Sequence, residues 1–479
     1  MGEAWDLLAR QAEEIARLHA ENVALQGLVV TLQAQVQELT VRLGQNSSNS
    51  SQPPSSDPPS RPPRPPSRPP TGRPSGGQPG HAGHGRGLRP SDQVDRVVVV
   101  KPMACGQCGT LLLGEDAHPE RRQVTELPVV RPEVVEYQRH TLTCLACGQA
   151  TTGEWPGGLP AGAFGGRVAA TVGYLTGRLG VSQRDVVDAL DALFGTAVSV
   201  GSIAALEQTV STALAEPVTA AQGYLQRQPV ANVDETSWRE GTQRGWLWIG
   251  VTELVTVFLV LATRGAAGAK QLLGAGYSGI VGSDRWSGYT WLTPVRRQVC
   301  WAHLLRDFES FVAWGGESAV VGRALLEQAE QMFRLWYHVR DGTLSRTAFQ
   351  QAMQPIMMAI GIGLRDGTTR GQAKTRGSCR KILELEVALW TFVREEGVEP
   401  TNNDAERPLR RAVLWRRRSF GTQSDDGSRF VERVLTAVTT LRQQHRDVLD
   451  YLTDACVAAN SATTPPSLLP AGDALTPAA

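Results

Sequence analysis

From Leu8 to Leu43 apolar residues return at intervals of three and four. Leu8, Ile15, Asn22, Val29, Val36 and Leu43 take one heptad position, and Leu18, Leu25, Leu32 and Leu39 take the other. Branched residues at the first position with Leu at the second favour a two-stranded parallel coiled coil, and a single polar residue such as Asn22 fixes its register. A leucine zipper is therefore expected over 1–45, although an amphipathic helix packed on its own chain has the same period. The periodicity disappears over 46–92, which is expected to be a disordered linker. β-rich runs follow at Val97 to Val100, Val129 to Val135 and His140 to Thr143, predicting a small β domain over 93–152. Helical periods return over 160–222, where Ser182 and Ser199 are placed to cap two short helices. That pattern fits a helix-turn-helix, and equally a plain helical bundle. From residue 229 the period becomes that of strands: Val230 to Asp234, Gly245 to Thr252 and Val255 to Leu261. A helix at Ala266 to Leu273 and a fourth strand at Gly279 to Gly282 follow. Three strands, a helix and a strand predict a mixed α/β sheet within 223–430. A helix-rich stretch, strongest at 317–362, looks inserted at about 310–398, and a last helix spans about Asn402 to Arg418. Residues 431–479 are expected to be a C-terminal helix and disordered tail.

Length and charge narrow the picture. A chain of 479 residues exceeds one ordinary core and reads as a multidomain α/β protein. With 48 Lys and Arg against 47 Asp and Glu, any surface for a polyanion must be local. One such place is the linker, where 13 of 29 prolines fall between Pro53 and Pro90 together with Arg61, Arg64, Arg68, Arg73, Arg86 and Arg89 against Asp57. This composition cannot bury enough apolar area to fold, and it can either space two domains or track phosphates. No apolar run reaches the roughly 18 residues of a membrane span, and the N-terminus lacks the succession of a secretory signal. The protein is expected in the cytoplasm, associated with the nucleoid.

Three constellations carry chemistry. Cys105 and Cys108, then Cys144 and Cys147, form two C-x2-C pairs, the arrangement that offers four thiolates to one tetrahedral structural zinc. Asp234 closes the first strand as read here and Asp284 follows the fourth. If those strands are neighbours, the two carboxylates share one sheet edge, where hard cations such as Mg²⁺ or Mn²⁺ are held by oxygen ligands. The last helix offers a third carboxylate, Asp404 or, preferred here, Glu406. Around it, Arg407, Arg410, Arg411, Arg416, Arg417 and Arg418 form a basic run that, beside a metal site, suits the phosphates of a DNA strand.

These motifs together resemble transposases of the insertion sequence 66 family, which are DDE enzymes. The likeness takes in the zipper helix, Asn46-Ser-Ser-Asn-Ser-Ser-Gln-Pro-Pro-Ser-Ser-Asp57, the cysteine pairs and Val233-Asp-Glu-Thr-Ser-Trp-Arg239. It continues through Gly282-Ser-Asp-Arg-Trp-Ser-Gly-Tyr289, Cys300-Trp-Ala-His-Leu-Leu-Arg-Asp-Phe308, Asn402-Asn-Asp-Ala-Glu-Arg-Pro-Leu-Arg410 and Ser419-Phe-Gly-Thr422. The resemblance implies an RNase H-like catalytic core with a helical insertion, and it carries the three acids onto Asp234, Asp284 and Glu406. It implies a transposase that binds insertion-sequence ends and performs metal-dependent cleavage and strand transfer on double-stranded DNA. A homodimer through the zipper and small accessory transposition proteins are the expected partners. His303 is an accessory candidate, either as a phosphate contact or as a core histidine, and Trp286, Tyr289 and Trp301 are read as packing. The competing readings are a non-catalytic zinc-containing DNA-binding regulator and an RNase H-like nuclease without strand transfer.

Overall fold

The computed structural model describes residues 2–44 and 87–470. Most of the expected linker and the final nine residues lie outside them. The first stretch is one long helix, α1 (Gly2–Gly44). Its seam residues Ile15, Leu18, Leu25, Val29, Leu32, Val36 and Leu39 stand 49–62% exposed, and Asn22 accepts a hydrogen bond from Gln26 Nε2 at 2.9 Å. Leu8 and Leu43 fall outside the described side chains.

Between residues 87 and 165 there is little regular structure. A 3₁₀ turn (Ser91–Gln93) precedes a two-stranded antiparallel ribbon, β1 (Thr141–Thr143) and β2 (Ala150–Thr152). Of the expected strands, only the His140 to Thr143 run is one. Val97 to Val100 and Val129 to Val135 form no strand, and Val97, Val100, Val129 and Val134 are all exposed. β-propensity is a preference for a half-buried pleated surface, and a segment with no partner strand and no core supplies none.

The remainder is built on helices and a single mixed sheet. Helix α2 (Gly166–Gly173) runs into a π-helical turn (Tyr174–Arg178), followed by α3 (Gln183–Phe194), α4 (Val200–Ala213) and α5 (Ala215–Leu225). Both serine caps form: Ser182 Oγ accepts from Asp185 N at 3.2 Å, and Ser199 Oγ from Ser202 N at 3.1 Å. Helix α4 buries Ile203, Leu206 and Val210 against α2, α13 and α14, so it is a core element. The strands are β3 (Val230–Glu240), β4 (Gln243–Val251), β5 (Thr256–Leu261), β6 (Ile280–Ser283) and β7 (Arg297–Val299), with α6 (Ala266–Leu273) leading into β6. Their spatial order is β5-β4-β3-β6-β7; the first three are antiparallel, and β6 and β7 run parallel to β3.

After β7 come α7 (Trp301–Ala313), α8 (Gly316–Arg340), α9 (Arg346–Gly367), α10 (Ala373–Leu383) and α11 (Thr391–Arg394). The chain then returns to the sheet with α12 (Asn403–Ser419), α13 (Asp425–Gln443) and α14 (Val448–Asn460). Two apolar cores result. One joins α2–α5, the sheet, α6 and α12–α14. The other runs from Val299, on β7, to Val398 through the inserted helices, and Val230 and Ile280 of the sheet pack against it. The insertion therefore starts at β7, earlier than its helical period announces. The expected boundaries at 222 and 430 both cut through the first core.

Helix α13 also closes the free edge of the sheet. Thr440 Oγ1 accepts Thr256 N at 3.1 Å and Thr436 Oγ1 accepts Phe258 N at 2.9 Å, while Glu432 Oε1 takes Val260 N. Four residues of helix rise ~6 Å and two of strand ~6.6 Å, so every fourth side chain of α13 meets every second amide of β5.

Candidate active site

Strand β3 pairs with β6 over Val230↔Ile280, Ala231↔Val281 and Asn232↔Gly282. Continued by two places, that register sets Asp234 level with Asp284, and the two-residue alternation of strands puts both on the face that carries Asn232. Asp234 does not end its strand. β3 runs on to Glu240 because its other edge pairs with β4 as far as Glu240↔Gln243, while its pairing with β6 stops at Asn232. The acid thus sits where two parallel strands part. Gly282 makes this possible, since a Cβ there would lie 2.1 Å from Asn232 Oδ1.

The third acid arrives from α12. Asn402 ties the start of that helix down: its Nδ2 donates to Val233 O at 2.8 Å and its backbone N–H to Cys300 Sγ at 3.2 Å. Glu406 lies in the first turn, where the helix dipole favours a carboxylate. Its Oε2 is 3.8 Å from Arg306 and its Oε1 3.7 Å from His303 Nδ1. Burial, with the charges of Glu235, Asp284 and Glu406, holds the Asp234 carboxyl well above the usual range. Glu406 is raised by burial, opposed by Arg306 and reinforced by Asp284. The acids therefore feel one another, as a divalent-cation site requires, although their oxygens do not form a group within 4.8 Å.

Around this row lie residues that sequence reasoning missed. Glu235, on the opposite face of β3, is buried and receives Arg264 Nε at 2.8 Å and the Tyr289 hydroxyl at 2.7 Å. Tyr289 and Trp301 are buried as expected. Trp286 is not core, for it is exposed beneath the Arg264 guanidinium at 4.1 Å. The metal-capable side chains that come within 4.8 Å of one another are Cys300, His303 and Glu406. The C-x2-H spacing of Cys300 and His303 was the available signal. Burial, with Arg306 close by, pushes His303 down to about 4, so the ring is neutral at physiological pH.

Of the basic run, Arg407, Arg410, Arg411, Arg417 and Arg418 are exposed. Arg416 is not: its Nη1 donates to Ser237 Oγ at 2.6 Å and Thr236 Oγ1 at 3.2 Å, clamping α12 to β3. Burial and the like charges of Arg442 and Arg411 push Arg178 down to about 10, so this patch gathers cations from three helical segments.

The two cysteine pairs sit on matching turns. Gly109 N donates to Cys105 O at 2.9 Å and Gly148 N to Cys144 O at 2.8 Å, with both glycines at positive φ, 73° and 71°. Hydrogen bonding with Thr110, to whose Oγ1 the Cys108 Sγ donates, leads the shift that brings the Cys108 thiol down to about 7, and backbone amides lower Cys144. Each turn presents two thiols suited to zinc, and the two pairs are not drawn into one group of four.

Comparison with known proteins decides the family. The model of the Transposase IS66 family matches residues 164–429, which hold Asp234, Asp284, Glu406 and the inserted helices. The chain belongs to the IS66 transposase family. The zinc-finger binding domain of IS66 transposases matches residues 102–148, which contain both cysteine turns, so zinc is the ion these turns serve. A family of unknown function matches residues 8–87. Uncharacterized protein y4qI of Sinorhizobium fredii is 27% identical over 234 residues, 44% of this chain and 43% of that protein. Uncharacterized protein y4hP of the same organism is 24% identical over 420 residues, 78% and 74% respectively. The match thus spans less than half the length of y4qI. Among the described residues no helix is long and apolar enough to cross a membrane.

Proposed function

We propose that this IS66 family member is a DDE transposase with an RNase H-like core, in which Asp234, Asp284 and Glu406 hold Mg²⁺ or Mn²⁺ at the DNA. The observation that carries this reading is the shared register row of Asp234 and Asp284, with the charge of Glu406 acting on the first. Ions bound there would supply Lewis-acid stabilisation of the charge that develops at the phosphate under displacement. The protein's own part is placement. The β3–β6 register sets Asp234 and Asp284 in one row, and Asn402 and Arg416 pin α12, which carries Glu406, to β3. Hydrolysis of one phosphodiester at the element end frees a 3′-hydroxyl, which then attacks the phosphorus of a target phosphodiester, forming a new P–O bond as the bond to the target's own 3′-oxygen breaks and that oxygen leaves as a 3′-hydroxyl.

The exposed face of α12, with Arg407, Arg410, Arg411, Arg417 and Arg418, leads away from Glu406 and takes the phosphates of the strand being cut. Zinc binding at Cys105, Cys108, Cys144 and Cys147 folds the domain that precedes the core, and α1 pairs with a second copy to hold two ends in one complex. The test is cleavage and strand transfer on DNA carrying the element's own ends. Asp234→Asn and Glu406→Gln should lose both reactions by more than 100-fold, on the order of what a main catalytic group contributes, and still bind DNA. Strand transfer by Asp234→Asn at the wild-type rate would sink the assignment. Accessory proteins are added where the purified chain is silent.

A further inference from the structure

We infer that Cys300, His303 and Glu406 form a second metal site, one for a soft divalent cation such as Zn²⁺, which shares Glu406 with the hard-ion site proposed above. Its regulatory meaning rests on that reading of Glu406; the binding itself does not.

Three observations on separate elements converge. Cys300 caps α7 and His303 follows at the i, i+3 spacing that puts both on one side of the first turn, while Glu406 comes from the first turn of α12. Their ligand atoms all lie within 4.8 Å of one another. His303 Nδ1 and Glu406 Oε1 are buried, face each other at 3.7 Å and have no hydrogen-bond partner, a combination that costs about 1–3 kcal/mol per group when nothing fills it. An ion would satisfy both at once. Their side chains keep 20% and 29% of their surface, although the two ligand atoms themselves are covered.

The donor set selects the metal. Sulfur, imidazole nitrogen and one carboxylate oxygen suit zinc, with bonds of ~2.0–2.3 Å, and leave a fourth position for water. They suit Mg²⁺ poorly, since it takes oxygen ligands in an octahedron. A tetrahedral shell with such bonds needs its ligands roughly 3.3–3.8 Å apart, so closing on the ion requires shifts of about 1 Å from the present separations. On binding, the Cys300 thiol gives its proton to solvent. The Asn402 N–H, already 3.2 Å from Sγ, then donates to the thiolate. The same ion draws Glu406 toward α7 and away from Asp234 and Asp284. Zinc at this site and hard ions at the acid row therefore compete for one carboxylate.

Co²⁺ titrated into the full-length chain carrying Zn²⁺ at the cysteine turns alone tests this, because a thiolate ligand gives cobalt a strong near-ultraviolet charge-transfer band. The wild type should bind one equivalent beyond the cysteine turns, with that band. Cys300→Ser should lose the band, and His303→Asn the extra equivalent. Asp234→Asn, which spares all three ligands, should keep both. Cys300 is fully buried, so if Cys300→Ser does not fold, His303→Asn, at a side chain 20% exposed, decides. A wild type that takes up nothing beyond the cysteine turns overturns the proposal, as does an extra equivalent that survives His303→Asn or vanishes in Asp234→Asn. Mg²⁺-dependent cleavage with no cobalt site would end this inference and leave the transposase reading standing. A cobalt site on a chain that never cuts DNA would do the reverse.

Discussion

Burial and the neighbouring acids disfavour the charged form of Asp234. Its folded carboxyl titrates above the ordinary range, so the native state binds more protons than the unfolded chain once pH exceeds about 4. Stability from this group therefore falls as pH rises through that window. Asp234→Asn should raise the metal-free Tm above pH 7 and abolish the further rise that Mg²⁺ gives the wild type; differential scanning fluorimetry in chelator and in Mg²⁺ reads both. His303 acts in the acid range. Its folded pKa of about 4 lies below the ordinary 6.5, so the unfolded chain binds the extra proton and stability is lost as pH falls from about 6.5 to 4. Phe420 ends α12 in the left-handed region at φ 60° with its ring 75% exposed. Phe420→Gly should stabilise by about 1 kcal/mol, because glycine is the usual residue there and little packing is lost. Urea unfolding that shows the variant less stable would mean the ring has a partner. At this scale the sequence made Asp234, Asp284 and Glu406 legible as acids beside strands and a helix start. It could not separate Arg416 from the other five arginines, because the distinction depends on Ser237, 179 residues away.

Among the elements, α13 and β5 depend on one another. Thr436→Val keeps the shape but leaves the Phe258 N–H buried and unpaired, which should cost roughly 1–3 kcal/mol by urea unfolding. Glu432, Thr436 and Thr440 share one face of a helix, and nothing in their spacing says that a strand edge lies beneath them. The apolar runs of β3 to β6 were legible because they are buried, whereas the continuation of β3 through Glu235 to Glu240 is polar and is held as strand by its pairing with β4. The valine runs at 97–100 and 129–135 have the same composition without a partner, and composition alone does not supply one. Helix α1 shows an apolar seam that stands exposed among the described residues. Paired with a second copy, it makes Leu25→Glu a disruptive change at the seam's centre, so light scattering should find dimers for the wild type and monomers for the variant.

For the whole molecule, the two cores and the cysteine turns predict separate responses to chelation. Residues 102–148 bury almost no apolar surface, so a zinc chelator should open them to protease while the transition of the 164–460 body stays in place. Loss of both together would show that the zinc domain supports the core. The sequence indicated an insertion through its helical period, but not its start at Val299, since β7 belongs to the sheet by hydrogen bonding and to the inserted core by side chain.

The helix that covers β5 has a consequence during synthesis. At about 5–20 residues per second, the ribosome needs roughly 10–40 s to get from Leu261 to Gln443. Throughout that interval the strand's amides stay uncovered, and for most of it Glu406 has yet to be made. A nascent chain, or one broken off within the inserted helices, is therefore aggregation-prone and lacks the third acid of the proposed site. That acid comes only near the end of translation, shortly before the same stretch of chain seals the sheet.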